Sequence, residues 1–232
     1  KLLYPFILRR TKEQVAKDLP EKTETILFCE MQSEQRDIYE AFRMDYRNKI
    51  LGVIEEQGIQ RSQLTILQGL MKLRQICDSP AIMNEPQKYP NHSIKLEEIA
   101  REITENISNH KALIFSQFLG MLALIKEKLQ ALDVAFEYFD GSTPAHERER
   151  AIKRFQDDNE CRAFVISLKA GGVGLNLTAA DYVYIVDPWW NPAVEDQATD
   201  RAFRIGQNRN VQVHKFVCVG TLEEKIDEMI ES

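Results

Sequence analysis

Gln197, Arg201 and Arg204 stand at positions i, i+4 and i+7, the spacing that brings three side chains onto one face of a helix. Two guanidinium forks beside a carboxamide suit phosphoryl oxygens, because arginine donates paired hydrogen bonds and never loses its charge. Pairing with Asp196 or Asp200 is the purely structural alternative. Upstream, the segment Ser167-Leu168-Lys169-Ala170-Gly171-Gly172-Val173-Gly174-Leu175-Asn176-Leu177 packs glycines at 171, 172 and 174. Such a run either lets the backbone approach a ligand closely or simply turns the chain. It is not a Walker A motif: no Gly-Lys pair occurs anywhere in the sequence, so the lysine that grips β- and γ-phosphates is missing. Alone, this chain cannot cradle a triphosphate.

Three more clusters could meet a ligand. Asp140-Gly141-Ser142-Thr143-Pro144 reads as a glycine turn, a hydroxyl N-cap and a proline in the first helical position. The N–H groups of such a helix start suit an anion, although most are merely capped. Ser116 and Gln117 place a hydroxyl and an amide where another helix must begin, and an N-cap role alone would explain them. Asp187-Pro188-Trp189-Trp190-Asn191-Pro192 brackets two indoles with prolines, which restrict the loop and remove donors. The tryptophans could pack in the core or meet a partner.

These clusters all follow segments of strand type. Apolar runs at 112–115, 134–138, 163–166, 182–186 and 211–219 give five strands, with helices expected at about 118–131, 144–157, 193–203 and from about 221. That alternation predicts an α/β fold, a parallel sheet with helices on both faces. Ligands of such sheets bind beyond the carboxyl ends of the strands, which is where the clusters fall. The earlier part of the chain has a helical rhythm. Apolar residues recur at helical spacing over 33–57 and 63–77, with Gly52 and Gly58 as breaks, and a Pro- and Asn-rich loop spans 84–92. The two helices can pair as a hairpin inserted near the N-terminus, dividing the chain into 1–92 and 93–232.

The 232 residues, 44% hydrophobic and 28% charged, can bury a substantial core, which excludes disorder as the main state. Ten glycines and eight prolines are too few for a low-complexity chain. No run nears the roughly 18 apolar residues of a membrane span, and the first residues lack a signal peptide's pattern, so a soluble protein without membrane partners is expected. The net charge of −6 excludes indiscriminate nucleic-acid binding. The charge is uneven, net basic over 1–22 and acidic over 221–232. Cys29, Cys77, Cys161 and Cys218 lack metal-site spacing and fit as small buried hydrophobes, and no metal ligands are assigned. A reducing compartment is the simplest reading.

Taken together, the segments resemble the second, C-terminal RecA-like lobe of the Swi/Snf-type DNA-dependent ATPases of superfamily 2. The resemblance runs over nearly the whole chain: Pro5 to Thr11 with Leu19 to Lys22, Leu73 to Pro80, Ile114 to Phe118, Asp140 to Thr143, Ser167 to Leu177, Asp187 to Pro192 and Gln197 to Gln207. Several motifs in the right order are specific where each alone is weak. Phe203 stands where the family commonly has histidine, and Ser79 where histidine often precedes the proline.

The resemblance implies a half motor. ATP and Mg²⁺ would be held mainly by a first RecA-like lobe, with Arg201 and Arg204 as arginine fingers and Gln197 positioning the phosphate or its attacking water. Gly172, Gly174 and Asn176 would lie near the same nucleotide. Ser116, Gln117, Gly141, Ser142, Thr143, Ser167, Lys169, Ala170 and Gly171 would hold DNA phosphates, Trp190 would press into the minor groove, and the hairpin at about 33–77 would be the family's insertion. The expected partners are the first lobe and duplex DNA, with the nucleosome, RNA polymerase or repair proteins beyond. The compartment would be cytoplasm or nucleoid in a prokaryote and the nucleus in a eukaryote. By itself the chain is expected to hold no nucleotide and to be inactive. A non-hydrolytic DNA- or protein-binding module is the competing reading, and the paired arginines argue for the motor. The double tryptophan and the insertion argue against an RNA helicase lobe.

Overall fold

The computed structural model describes residues 20–170, 175–188, 191–202 and 206–232. Six strands form one sheet: β1 (Lys22–Cys29), β2 (Ala112–Ser116), β3 (Phe136–Phe139), β4 (Ala163–Ser167), β5 (Tyr182–Ile185) and β6 (Val211–Cys218). Their order is β1-β6-β5-β2-β4-β3, and every pairing is parallel. Every residue of β2 and β4 is buried, as central parallel strands covered on both faces must be.

Among the described residues seven α-helices accompany the sheet: α1 (Ser33–Gln57), α2 (Gln63–Asp78), α3 (Ile94–Arg101), α4 (Leu119–Ala131), α5 (Ala145–Asp157), α6 (Pro192–Asp200) and α7 (Leu222–Glu231). Local chemistry starts three of them. The side chains of Ser93, Asn191 and Thr221 accept the N–H groups of Leu96, Ala193 and Glu223. Because successive strand residues point to opposite faces, the sheet carries two cores. Ala112, Ile114, Val165, Tyr184 and Phe216 pack with Leu96 and Ile99 of α3, with Met121 and Ile125 of α4, and with Tyr39 and Ile76 of the hairpin. On the other face Leu113, Phe115, Phe164, Ile166 and Val183 meet Ala151 and Phe155 of α5 and Ala198 of α6.

The RecA-like α/β architecture is therefore as expected, and α1 and α2 match the anticipated pair of helices closely. The sheet has one more strand than the five expected. Strand β1, at the edge of the sheet, was missed: its first half, Thr23 to Thr25, is polar and exposed, and only Ile26 to Cys29 forms an apolar run. Strand β3 begins two residues later than expected, since Asp133 adopts a positive φ of 56° and Val134 N–H donates to Leu129 O to close α4.

Helix α6 ends at Asp200, not 203. Its last turn tightens, with Arg201 N–H donating to Ala198 O and Ala202 N–H to Thr199 O, and the Arg201 carbonyl accepts Leu177 N–H at 2.9 Å. At α5 the N-cap is Pro144 and has no side-chain cap; the Thr143 hydroxyl accepts Asp140 N–H instead of capping the helix. All four cysteines are buried free thiols, as their apolar contexts implied. Among the described residues, no helix is long and apolar enough to cross a membrane.

Candidate functional site

Parallel pairing sets β2, β4 and β5 side by side in register, and the backbone ties the loops that leave them. Ser116 pairs with Ser167, Leu168 N–H donates to Ser116 O at 3.0 Å, and Val186 N–H donates to Phe115 O at 3.0 Å. Phe139 pairs with Ile166, so the Asp140–Thr143 turn leaves the same edge. The sheet thus brings Ser116, Gln117, Gly141, Ser142, Thr143, Ser167, Lys169 and Ala170 to its carboxyl end. Gly141, Ser142 and Lys169 are exposed there, while Ser116, Gln117, Ser167 and Ala170 are buried.

The turns are built by their own polar groups. Ser116 Oγ donates to Asp187 Oδ2 at 2.5 Å and accepts Phe118 N–H, and Gln117 N–H donates to Asp187 Oδ1 at 2.8 Å. Gln117 Nε2 is buried without a hydrogen-bond partner among the described residues. Asp140 accepts Ser142 N–H and Oγ–H and the Tyr138 hydroxyl, and these bonds from Ser142 and Tyr138 hold its carboxyl below the usual range. Arg148 clamps the same turn from α5 through the carbonyls of Thr143, Asp140 and Gly141.

At the end of α6 the Arg201 guanidinium lies 5.4 Å from the Phe115 ring centroid and is only 7% exposed. Asn176 and Gln197 are exposed, and the Leu177–Arg201 backbone bond joins the end of the glycine segment to Arg201. The α-helix stops at Asp200, so Gln197 lies within it and Arg201 in the turn that follows. Arg204, Trp190, Gly171, Gly172 and Gly174 lie outside the described residues.

Behind these loops sits a fully buried cluster. Lys95 Nζ donates to Asp78 Oδ1 (3.0 Å), Glu223 Oε2 (2.6 Å) and Val186 O (2.6 Å), and Glu223 Oε1 accepts Cys218 N–H at 3.0 Å. Burial pushes the Asp78 carboxyl well above its ordinary range and neighbouring Asp187 pushes it further. Burial alone would depress the Lys95 ammonium, but Asp78 and Glu223 override it and hold its pKa above the usual value. Arg74, also buried, donates from Nη2 to Pro188 O at 3.1 Å and lies 5.3 Å from the Phe118 ring centroid.

Comparison with known proteins gives these elements a family. The helicase conserved C-terminal domain matches residues 94–206 and the SNF2-related domain matches residues 1–82. The C-terminal domain of the Sulfolobus solfataricus SWI2/SNF2 ATPase superposes with a TM-score of 0.71 at 35% identity, over 91% of this chain and 86% of that one. The chain belongs to the Swi/Snf ATPase family, as its C-terminal lobe. The Sulfolobus SWI2/SNF2 core solved with double-stranded DNA matches 94% of this lobe at 39% identity and a TM-score of 0.76, the match taking up 46% of that chain. A putative ATP-dependent helicase/translocase of Bacillus subtilis, YwqA, is 43% identical over the whole Swi/Snf lobe. The lobe spans about a quarter of that relative's length and about a fifth of the Mycoplasma genitalium and rice relatives.

Within this Swi/Snf lobe the clusters lie at strand ends, as the sequence reading expects, but that reading missed what supports them. Arg74 and Asp78 of α2, Lys95 of α3, Asp187 after β5 and Glu223 of α7 come from four separate elements or loops, and nothing in the sequence announces that these four meet. Arg74 and Asp78 fall within the Leu73–Pro80 segment, which carries the family resemblance but gives neither residue a role. A cavity of about 300 Å³ lies between α1, α3 and α4, lined by Gln35, Ser93, Glu97 and Lys128 among others, and none of the expected site residues borders it.

Proposed function

We propose that this lobe is the C-terminal half of an ATP-dependent duplex-DNA translocase. The observation that carries the reading is the gathering of four strand-end turns at one edge, with Ser142 and Lys169 exposed and Gln117 Nε2 left as a buried donor without a partner among the described residues. Hydroxyls, amides and backbone N–H groups grip phosphates without reading bases, which suits a protein that moves along any sequence. The match to a SWI2/SNF2 core solved with double-stranded DNA supports duplex DNA as the partner. Ser116, Gln117, Gly141, Ser142, Thr143 and Ser167 to Gly171 would meet the backbone, with Trp190 in the minor groove.

The nucleotide side is a separate part of the same proposal. Arg201 fits a phosphoryl group, because its guanidinium is already held against Phe115 and little freedom remains to be lost on binding. Arg201 and Arg204 would act as arginine fingers, Gln197 would orient the phosphate or water, and Gly172, Gly174 and Asn176 would line the nucleotide. ATP with Mg²⁺ supplies the energy of the cycle, held mainly by the first lobe. An arginine finger is worth roughly 10³ to 10⁵ in rate. Opening and closing of the lobes would then shift the phosphate grip along the duplex. Residues 33–77 would be an insertion beside this lobe, with 93–232 as its RecA-like body.

The test is steady-state ATP hydrolysis by the complete motor with duplex DNA or single-stranded RNA. Strong stimulation by the duplex alone is expected; equal stimulation by RNA would replace the reading with that of an RNA helicase.

A further inference from the structure

The buried cluster contains three carboxyls, Asp78, Asp187 and Glu223, and too few donors for all of them. The three protons of the Lys95 ammonium go to Asp78 Oδ1, Glu223 Oε2 and Val186 O. Cys218 N–H serves the remaining oxygen of Glu223. Ser116 Oγ–H and Gln117 N–H serve the two oxygens of Asp187. Asp78 Oδ2 is buried with no donor among the described residues, yet the Asp78 carboxyl stands at hydrogen-bonding range of Asp187. Two carboxyls can bond each other only if one carries a proton. Both oxygens of Asp187 are already acceptors, so the proton belongs on Asp78 Oδ2, which then donates.

We propose that Asp78 is a positioning residue: as a neutral acid it donates to Asp187 and thereby holds the Ser116–Gln117 turn toward a DNA phosphate. The inference rests on the reading of that turn as a DNA contact. It also links elements that the chain keeps apart, since Asp78 ends α2, Lys95 is in α3, Glu223 is in α7 and Asp187 follows β5. Through the proposed Asp78–Asp187 bond, the end of the helical hairpin is tied to the turn after β2, where Asp187 accepts from Ser116.

A carboxamide distinguishes the two aspartates. Asp78→Asn keeps an oxygen for Lys95 and supplies N–H for Asp187, so it reproduces the neutral acid. Asp187→Asn cannot accept from Ser116 and Gln117 together. In the complete motor, half-saturating duplex DNA, kcat at saturating DNA and Tm are measured for Asp78→Asn, Asp78→Ala and Asp187→Asn. Asp78→Asn is expected to stay within about twofold of the parent in half-saturating DNA, while Asp78→Ala and Asp187→Asn raise it roughly tenfold with kcat at saturation changed less than about threefold. If Asp78→Asn is as damaged as Asp78→Ala, Asp78 is a carboxylate and the proposal is overturned. Unchanged half-saturating DNA in Asp78→Ala with a lowered Tm overturns it too, leaving a structural role only. Should Asp78→Ala fail to fold, the contrast between the two asparagine variants decides. Gln117→Ala is the control for the underlying reading. If it leaves DNA binding intact, the turn is not a DNA contact, and the Tm contrast between Asp78→Asn and Asp187→Asn still decides where the proton sits.

Discussion

A guanidinium laid against an aromatic ring has given up much of its freedom before a ligand arrives, and Arg201 over Phe115 is in that state. For Arg204 the expectation rests on sequence alone. Arg204→Ala in the complete motor should lower kcat steeply and leave ATP affinity within a few-fold, the mark of an interaction made mainly in the transition state. Arg204→Lys should rescue little, because a point charge on a flexible stem does not reproduce a planar fork. Kinetics with a parallel nucleotide titration checks this, and near-normal kcat in the alanine variant removes the finger assignment. His214 offers a test of a different kind. It stacks beside Tyr182 and Tyr184 at 6.0 and 5.3 Å, and burial lowers its pKa below 6.5 despite Glu102 nearby. The unfolded chain therefore binds this proton more readily, so His214 makes the fold lose stability as pH falls through 6.5 toward the folded value. His214→Phe should flatten that part of the stability profile in urea titrations between pH 7 and 5; an unchanged slope would place the acid sensitivity elsewhere.

Between elements, a close approach lies within the α1–α2 hairpin. A Cβ on Gly69 would come within 2.9 Å of Tyr46 Cδ1, closer than real side chains pack, so only glycine lets the helices sit at this separation. Gly69→Val should cost about 1–3 kcal/mol through overpacking, outweighing the gain in helix propensity. The cost should appear as a lower Tm and faster hydrogen exchange in α1 and α2. Equal loss of protection in the central strands would mean instead that hairpin and sheet melt as one unit. Element edges were the weakest part of the sequence reading for a related reason: β1 and the end of α6 depend on what lies beside them. Lys22 to Cys29 becomes a strand only because β6 offers a matching edge, and α6 stops where Leu177 captures the carbonyl of Arg201.

For the whole molecule, the absent Gly-Lys pair predicts that the polypeptide of 232 residues, purified by itself, has no measurable ATPase. DNA-stimulated turnover in such material would overturn this. Its fold should nevertheless be intact, since two buried cores cover both sheet faces. A cooperative thermal transition without ATPase is therefore the expected pair of results.

The sequence by itself determined the parallel α/β sheet, the helical hairpin, the family and the strand ends on which function should fall. These follow from local signals: apolar runs, helical spacing, and glycine or hydroxyl turns, each written within a few residues. The tertiary structure alone decided how those turns are held. Ser116 reads as a simple cap until Asp187 is seen accepting from it, and Lys95 reads as an ordinary surface lysine until three acceptors surround it at zero exposure. Burial of charge depends on which elements meet, here residues as far apart as 78 and 223, and no local pattern encodes such a meeting.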